Sequence, residues 1–391
     1  MDPKRKHLHI TNQQDRHARK LLSKPRRPRR QLSQGDRTLS TNDKYKDSTT
    51  TRREFLGRSA ATMAGLMVLN QGVHAAPRTP LLIGSGEHSY EVFHDWLTPP
   101  SDILFGDTQG VAQDSLGRIY ISHTVHPSST KKDAIVVFDR YGKFLSSWGE
   151  RFAGGGHGLD IRREGNEEFL YHCDTAHRQV VKTTLDGKVI WEKGVPLEAN
   201  VYGKEGKEQP FIPTNVAFSP NGDFYVTDGY GSDWIHQYDM RGNYIKTFGG
   251  KGKEPGKVLN AHGIWVDDRG QEPYLVVADR ANSRMQYFTL DGAHVKFVSE
   301  GMRQPCHFHI RGEEMLIPDL KSVITIVDKD NKVVTQLGDG DPSALRNHPR
   351  EDFLPGKFVH PHGAKFLDNG DILVAEWVPI GRVTLLKKRR A

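Results

Sequence analysis

Thr214-Asn-Val-Ala, then Phe224-Tyr-Val-Thr-Asp228, then Tyr244-Ile-Lys-Thr-Phe248 beyond a turn at Gly242 make up a pattern to which the chain keeps returning. A short apolar strand is followed by a turn and by a strand that ends in an acidic residue. An alternating strand, a glycine turn and a last strand complete it. The second strand comes back as Ile119-Tyr-Ile-Ser-His123, Leu170-Tyr-His-Cys-Asp174, Leu275-Val-Val-Ala-Asp279, Met315-Leu-Ile-Pro-Asp319 and Ile372-Leu-Val-Ala-Glu376. The later hairpin turns fall at Gly142, Gly187, Gly242, Gly292 and Asn331, spaced 45, 55, 50 and 39 residues apart. Short strands and glycine turns at that period predict four-stranded antiparallel blades, hence an all-β, six-bladed propeller over 77–391. No stretch has the period of a long amphipathic helix, which excludes βαβ folds. The sixth blade runs out of chain after Arg382-Val-Thr-Leu-Leu386. Tyr90-Glu-Val-Phe-His-Asp-Trp96 resembles the fourth strands, so it is expected to pair with the last blade and close the ring. The acid ending each second strand is expected to cap the turn that follows it.

The first strands line the channel of such a ring. They begin Gln109-Gly-Val-Ala, His157-Gly-Leu-Asp, Thr214-Asn-Val-Ala, His262-Gly-Ile-Trp, Cys306-His-Phe-His and His362-Gly-Ala-Lys. Histidine therefore holds one register position in blades two, four and six. Alternate blades of six stand about 120° apart, which gives a tetrahedral metal three of its ligands and leaves the fourth place open. Neutral imidazoles without a thiolate favour Zn²⁺. Gln109, Thr214 and Cys306 at that position argue against a mere His-Gly consensus. His307 and His360 lie one and two residues out of register. Loops leaving the second strands can reach the channel mouth, and two of them depart from the repeat. Tyr230 follows Asp228, where a phenol could serve as acid or base. Arg280 follows Asp279, where a guanidinium could fork onto a carboxylate. A packed turn and a structural ion pair are the alternative roles.

The charge is uneven. The chain of 391 residues carries a net +7, yet residues 1–58 hold 17 Lys/Arg against 6 Asp/Glu, leaving the remainder at −4. That places the basicity in an extension rather than in a nucleic-acid face, and no nucleic acid is expected as a partner. Residues 1–50 read as a disordered basic extension. Thr51-Arg52-Arg53-Glu54-Phe55-Leu56-Gly57, an apolar run from Ser59 to Val73 and small residues around Ala75 read as a twin-arginine export signal over 51–76. The apolar run is too short for a membrane span, and no cysteine follows it for a lipid anchor. A periplasmic or extracellular protein, handled by the Tat translocase, is expected. The two cysteines, Cys173 and Cys306, lie three blades apart and are not expected to pair.

Val277-Ala-Asp-Arg-Ala-Asn-Ser-Arg-Met-Gln286 resembles an NHL repeat. Pro213-Thr-Asn-Val-Ala with Tyr225-Val-Thr-Asp-Gly-Tyr230, Ala261-His-Gly-Ile with Ala278-Asp-Arg280, and Pro361-His362-Gly together resemble the peptidyl-α-hydroxyglycine α-amidating lyase domain. The resemblance implies a six-bladed propeller with zinc on His157, His262 and His362. It implies Tyr230 as the catalytic tyrosine and Arg280 as an active-site arginine. The substrate would be a small molecule or peptide at the channel mouth. The backbone carbonyl of Leu159 would contribute to a structural calcium. Two positions depart from that family: Thr124 stands where it has a second arginine, and Gly363 where it has a calcium-binding aspartate. Two further readings stay open on the residues. One is a non-catalytic binding propeller whose channel is pinned by a metal. The other is a propeller enzyme acting on another substrate, such as a lactone.

Overall fold

The computed structural model describes residues 79–203, 206–340 and 345–390. The basic extension and the export signal read over 1–50 and 51–76 lie outside these residues. Six antiparallel sheets follow one another along the chain. Blade one comprises Thr108–Gln113, Ile119–His123, Ile135–Phe138 and Phe144–Trp148. Blade four comprises Ala261–Asp267, Tyr274–Asp279, Arg284–Phe288 and His294–Val298, and the others repeat this up-and-down order. In blade six the fourth place is taken by Tyr90–Phe93, which pairs with Arg382–Lys388 in the register Tyr90↔Lys388 to Phe93↔Leu385. The ring is closed as expected, although the closing strand stops at Phe93. A further short strand, Leu82–Ile83, covers its outer edge.

The core lies between blades. Six apolar clusters occupy the six junctions, and each joins side chains of two neighbouring blades. At the closing junction Ile119, Ile121 and Val136 of blade one pack on Leu373, Ala375, Val383 and Leu385 of blade six. Each fully buried aliphatic side chain there is worth about 1.5–3 kcal/mol, so closure is driven mainly by this interface. The third hairpins turn as the glycines require, with Gly142 at φ 84°, Gly242 at φ 81° and Asn331 at φ 64°.

In blades three to six the acid at the end of the second strand does more than cap the next turn. Asp319 accepts the N–H of Lys321 ahead of it, and also those of Arg303 and Gln304 in the segment that leads into its own blade. Asp228 takes Ile212 and Ser232, Asp279 takes Leu259, and Glu376 takes Val359. In blades three to six a buried carboxylate thus ties the start of the first strand to the end of the second, whereas Asp174 of blade two accepts the N–H of His177 in the turn ahead. Blade one has His123 at this place, and its Nδ1 accepts from Gly106 and Val125. Burial holds His123 down to about 4, so it stays neutral and able to accept.

Candidate metal centre

The inner strands of blades two, four and six are bulged where the histidines sit, with register shifts between Gly156 and Leu159, Ala261 and Ile264, and Pro361 and Gly363. A bulge re-aims a side chain, and here it turns His157, His262 and His362 towards one another at the axis. The glycine after each histidine is needed for the approach of the next blade. A Cβ on Gly158, Gly263 or Gly363 would stand 2.3, 2.4 or 2.2 Å from the carbonyl oxygen of Thr214, Cys306 or Gln109. Those same carbonyls orient the imidazoles. His157 Nδ1 donates to Thr214 O at 2.8 Å, His262 Nδ1 to Cys306 O at 2.7 Å and His362 Nδ1 to Gln109 O at 3.2 Å. The odd blades therefore supply the backbone acceptor where the even blades supply the ring.

This pattern fixes the tautomer. With Nδ1 donating, each Nε2 carries a lone pair. His262 Nε2 and His362 Nε2 face each other at 3.1 Å, two acceptors with no proton between them. A bound cation removes that repulsion. Ligands about 2.0–2.1 Å from a tetrahedral zinc lie roughly 3.3 Å apart, close to the spacing seen. All three rings are buried, their nitrogen atoms lie within 4.8 Å of one another, and the group can hold a metal ion. Burial is the first cause that holds His157 down to about 3, and it depresses His262 and His362 well below the ordinary range. The three rings are therefore neutral, as ligands must be.

Tyr230 and Arg280 meet the same point. The Tyr230 hydroxyl lies 3.2 Å from His157 Nε2 and 3.0 Å from His262 Nε2. Its loop presses on blade four, because a Cβ on Gly229 would stand 2.0 Å from Ala261 O. Arg280 Nη2 donates to the Tyr230 hydroxyl at 3.3 Å, and its guanidinium carbon stands 5.4 Å from the tyrosine ring centre. Burial raises the Tyr230 phenol, and the neighbouring Arg280 opposes the rise. Asn260 escaped the sequence reading. Its Oδ1 accepts from Arg280 Nε at 2.5 Å while its Nδ2 donates to Gly229 O at 2.7 Å. It holds a left-handed φ of 58°, which asparagine tolerates better than most residues. One side chain thus couples the arginine to the tyrosine loop, and Cys306 Sγ receives Arg280 Nη1 at 3.7 Å.

The other candidates fall outside the group. His360 Nδ1 is spent on Leu320 O, and His307 Nε2 faces Asp160 Oδ2 at 3.5 Å. Cys173 and Cys306 are both free and buried. Thr124 Oγ1 accepts the Asp107 N–H at 3.0 Å, a bond within the rim. Below the imidazoles lies a cavity of about 10 Å³, lined in part by Leu159, Gln109 and Asn215, with room for about one water or ion. Gln109 Oε1 and Asn215 Oδ1 are buried there without hydrogen-bond partners. Gly363 offers no carboxylate, so oxygen donors for a hard cation at this level are amide and carbonyl groups.

No family model matches the chain. It is 29% identical over 252 residues to peptidyl-glycine alpha-amidating monooxygenase B of Xenopus laevis, a match covering 56% of this chain and 25% of that protein. It is 27% identical over 220 residues to peptidyl-alpha-hydroxyglycine alpha-amidating lyase 1 of Drosophila melanogaster, covering 49% and 39% respectively. Among solved structures, a streptogramin B lyase aligns with a TM-score of 0.52 at 11% identity over 78% of this chain and all of that one, which speaks for the fold alone. The chain is thus a six-bladed propeller similar to amidating enzymes, and it matches only a part of each. Among the described residues no helix is long and apolar enough to cross a membrane.

Proposed function

We propose that the protein is an exported, zinc-dependent lyase that cleaves the C–N bond of an N-acyl or peptidyl α-hydroxyglycine, giving an amide and glyoxylate. The convergence of three Nε2 lone pairs, a phenol and a guanidinium on one point carries this reading. A zinc ion on His157, His262 and His362 would supply Lewis-acid polarisation of a substrate oxygen. Arg280 binds the substrate carboxylate. Tyr230, as phenolate, takes the proton of the carbinol hydroxyl. The electron pair left on oxygen by the broken O–H bond closes the carbonyl of glyoxylate, the C–N pair leaves with the nitrogen, and the proton held by Tyr230 passes to that nitrogen. Arg280 is the resident group that lowers the phenol. Leu159 O with the orphan amide oxygens of Gln109 and Asn215 supports a calcium ion or a water beneath, without the usual carboxylate. The charge split and the arginine pair at 52–53 support export through the Tat translocase to the periplasm or beyond, with no membrane anchor and no nucleic acid partner.

Zinc-loaded protein incubated with α-hydroxyhippurate is expected to release glyoxylate and benzamide above the uncatalysed rate. No release would favour a binding propeller with a structural metal, the reading that Thr124 in place of an arginine supports. In the same assay Asn260→Gly keeps the left-handed backbone but unlinks Arg280 from the Gly229 loop. A fall in kcat/KM of about tenfold is expected, the worth of one hydrogen bond to a charged group. An unchanged kcat/KM would remove Asn260 from the site.

A further inference from the structure

Past the three imidazoles, the inner strands carry a second cluster, of three titratable groups and a tryptophan. Asp160 in blade two, Trp265 in blade four, His309 in blade five and Lys365 in blade six each lie three residues beyond the ring position held by His157, His262, Cys306 and His362. Tyr230 and Arg280 follow second strands, which end where the antiparallel first strands begin, so the cluster stands towards the opposite end of the channel. His309 meets both Trp265 and Lys365. The rings of Trp265 and His309 are 5.4 Å apart, and Lys365 Nζ lies 2.8 Å from His309 Nε2.

The protons in this cluster can be counted. The backbone N–H of Phe366 donates to His309 Nδ1 at 3.3 Å, so Nδ1 carries no proton. A neutral imidazole with a bare Nδ1 has its proton on Nε2. That N–H then donates to Lys365 Nζ. An ammonium has three donors and no lone pair, so it cannot accept; a free amine can. The surroundings agree. Burial is the first cause that holds His309 well below its usual range, in keeping with a neutral ring. Burial also lowers Lys365, against the pull of Asp160 and Asp368. Lys365 is only partly buried, unlike the imidazoles above it.

The geometry points to Lys365 as a free amine in the channel and a covalent site for small uncharged aldehydes. The amine lone pair attacks the carbonyl carbon, and a proton passes from nitrogen to oxygen to give a carbinolamine. Loss of water then leaves an imine. The inference rests on the hydrogen bonds of His309 and stands apart from the lyase reading.

The test is reductive labelling of the whole zinc-loaded protein with formaldehyde and cyanoborohydride, mapped by peptide mass spectrometry as methyl-lysine. At about pH 7 an ordinary lysine is a free amine in fewer than about one molecule in a thousand. Lys365 is therefore expected to label at least about tenfold faster than the exposed Lys143 and Lys321. Its rate should climb less steeply with pH than theirs, which should rise about tenfold per unit. Lys365→Met should abolish the fast site. A Lys365 rate that follows the pH slope of Lys143, or no labelling of Lys365, overturns the inference.

Discussion

His262→Ala is expected to cut bound zinc from about one per chain to a small fraction of that, while the propeller stays folded. His262 is the hinge of the group. Its Nε2 lies 3.1 Å from His362 Nε2 and 3.0 Å from the Tyr230 hydroxyl, so its loss leaves two imidazoles and no closed triangle. The fold survives because the apolar clusters lie between blades, away from the axis. The lost bond from His262 Nδ1 to Cys306 O costs about 1 kcal/mol. Metal analysis after equilibration with zinc, beside thermal unfolding, checks both halves. Zinc retained near wild-type occupancy would show that the metal sits elsewhere.

The same residues set an acid limit for the metal-free protein. His157 is held down to about 3 in the folded state, and His262 and His362 are depressed in the same direction. The unfolded chain takes up these protons at about 6.5. Below that the unfolded state binds more protons than the folded one, so stability falls as pH falls. Above about 6.5 both states are neutral and the contribution is fully present. His262→Ala removes one of the three and should make the acid loss shallower, measured by unfolding of metal-free protein from about pH 7 to 4. Zinc in excess should raise the transition, by about 2.7 kcal/mol at a hundredfold excess over its dissociation constant.

The ring of blades was legible because a strand has a period of two and a hairpin turn demands a left-handed residue. Both requirements are written in local sequence, as in Phe224–Thr227 and at Gly242. The three histidines were legible for a related reason: one register position on the inner strand recurs in every blade. What holds them was not. Thr214, Cys306 and Gln109 act through backbone carbonyls, which leave no mark on the identity of a residue. The bulges that turn the rings inward are likewise a property of pairing, visible only once strand faces strand. Asn260 stands two residues before His262, but its two hydrogen bonds depend on how the loop after Asp228 folds across a blade boundary. His123 breaks the acidic pattern in blade one while doing its work, because what the site needs is a buried acceptor and not a charge.

Tyr230→Phe is expected to lower kcat on α-hydroxyhippurate by about 10²–10⁴, the range for losing a general base, with KM little changed. The ring keeps its packing against His157 and His262, at centroid distances of 5.0 and 5.3 Å, so zinc content should not move. Only the hydroxyl goes, and with it the group that takes and returns the proton. Its pH dependence follows from the environment. Burial raises the phenol and Arg280 lowers it, so in the metal-free protein the phenol remains protonated near neutrality. A base must be deprotonated to act, so the wild-type rate should rise with pH until Tyr230 is ionised. Arg280→Lys leaves a positive charge on a different stem and gives up the guanidinium's bonds to Asn260 and Tyr230. It should shift that rise to higher pH and raise KM together, because one guanidinium serves both the phenol and the carboxylate. In Tyr230→Phe the limb should vanish along with the activity. A Tyr230→Phe protein with wild-type kcat and an intact pH limb would assign the proton transfer to another group.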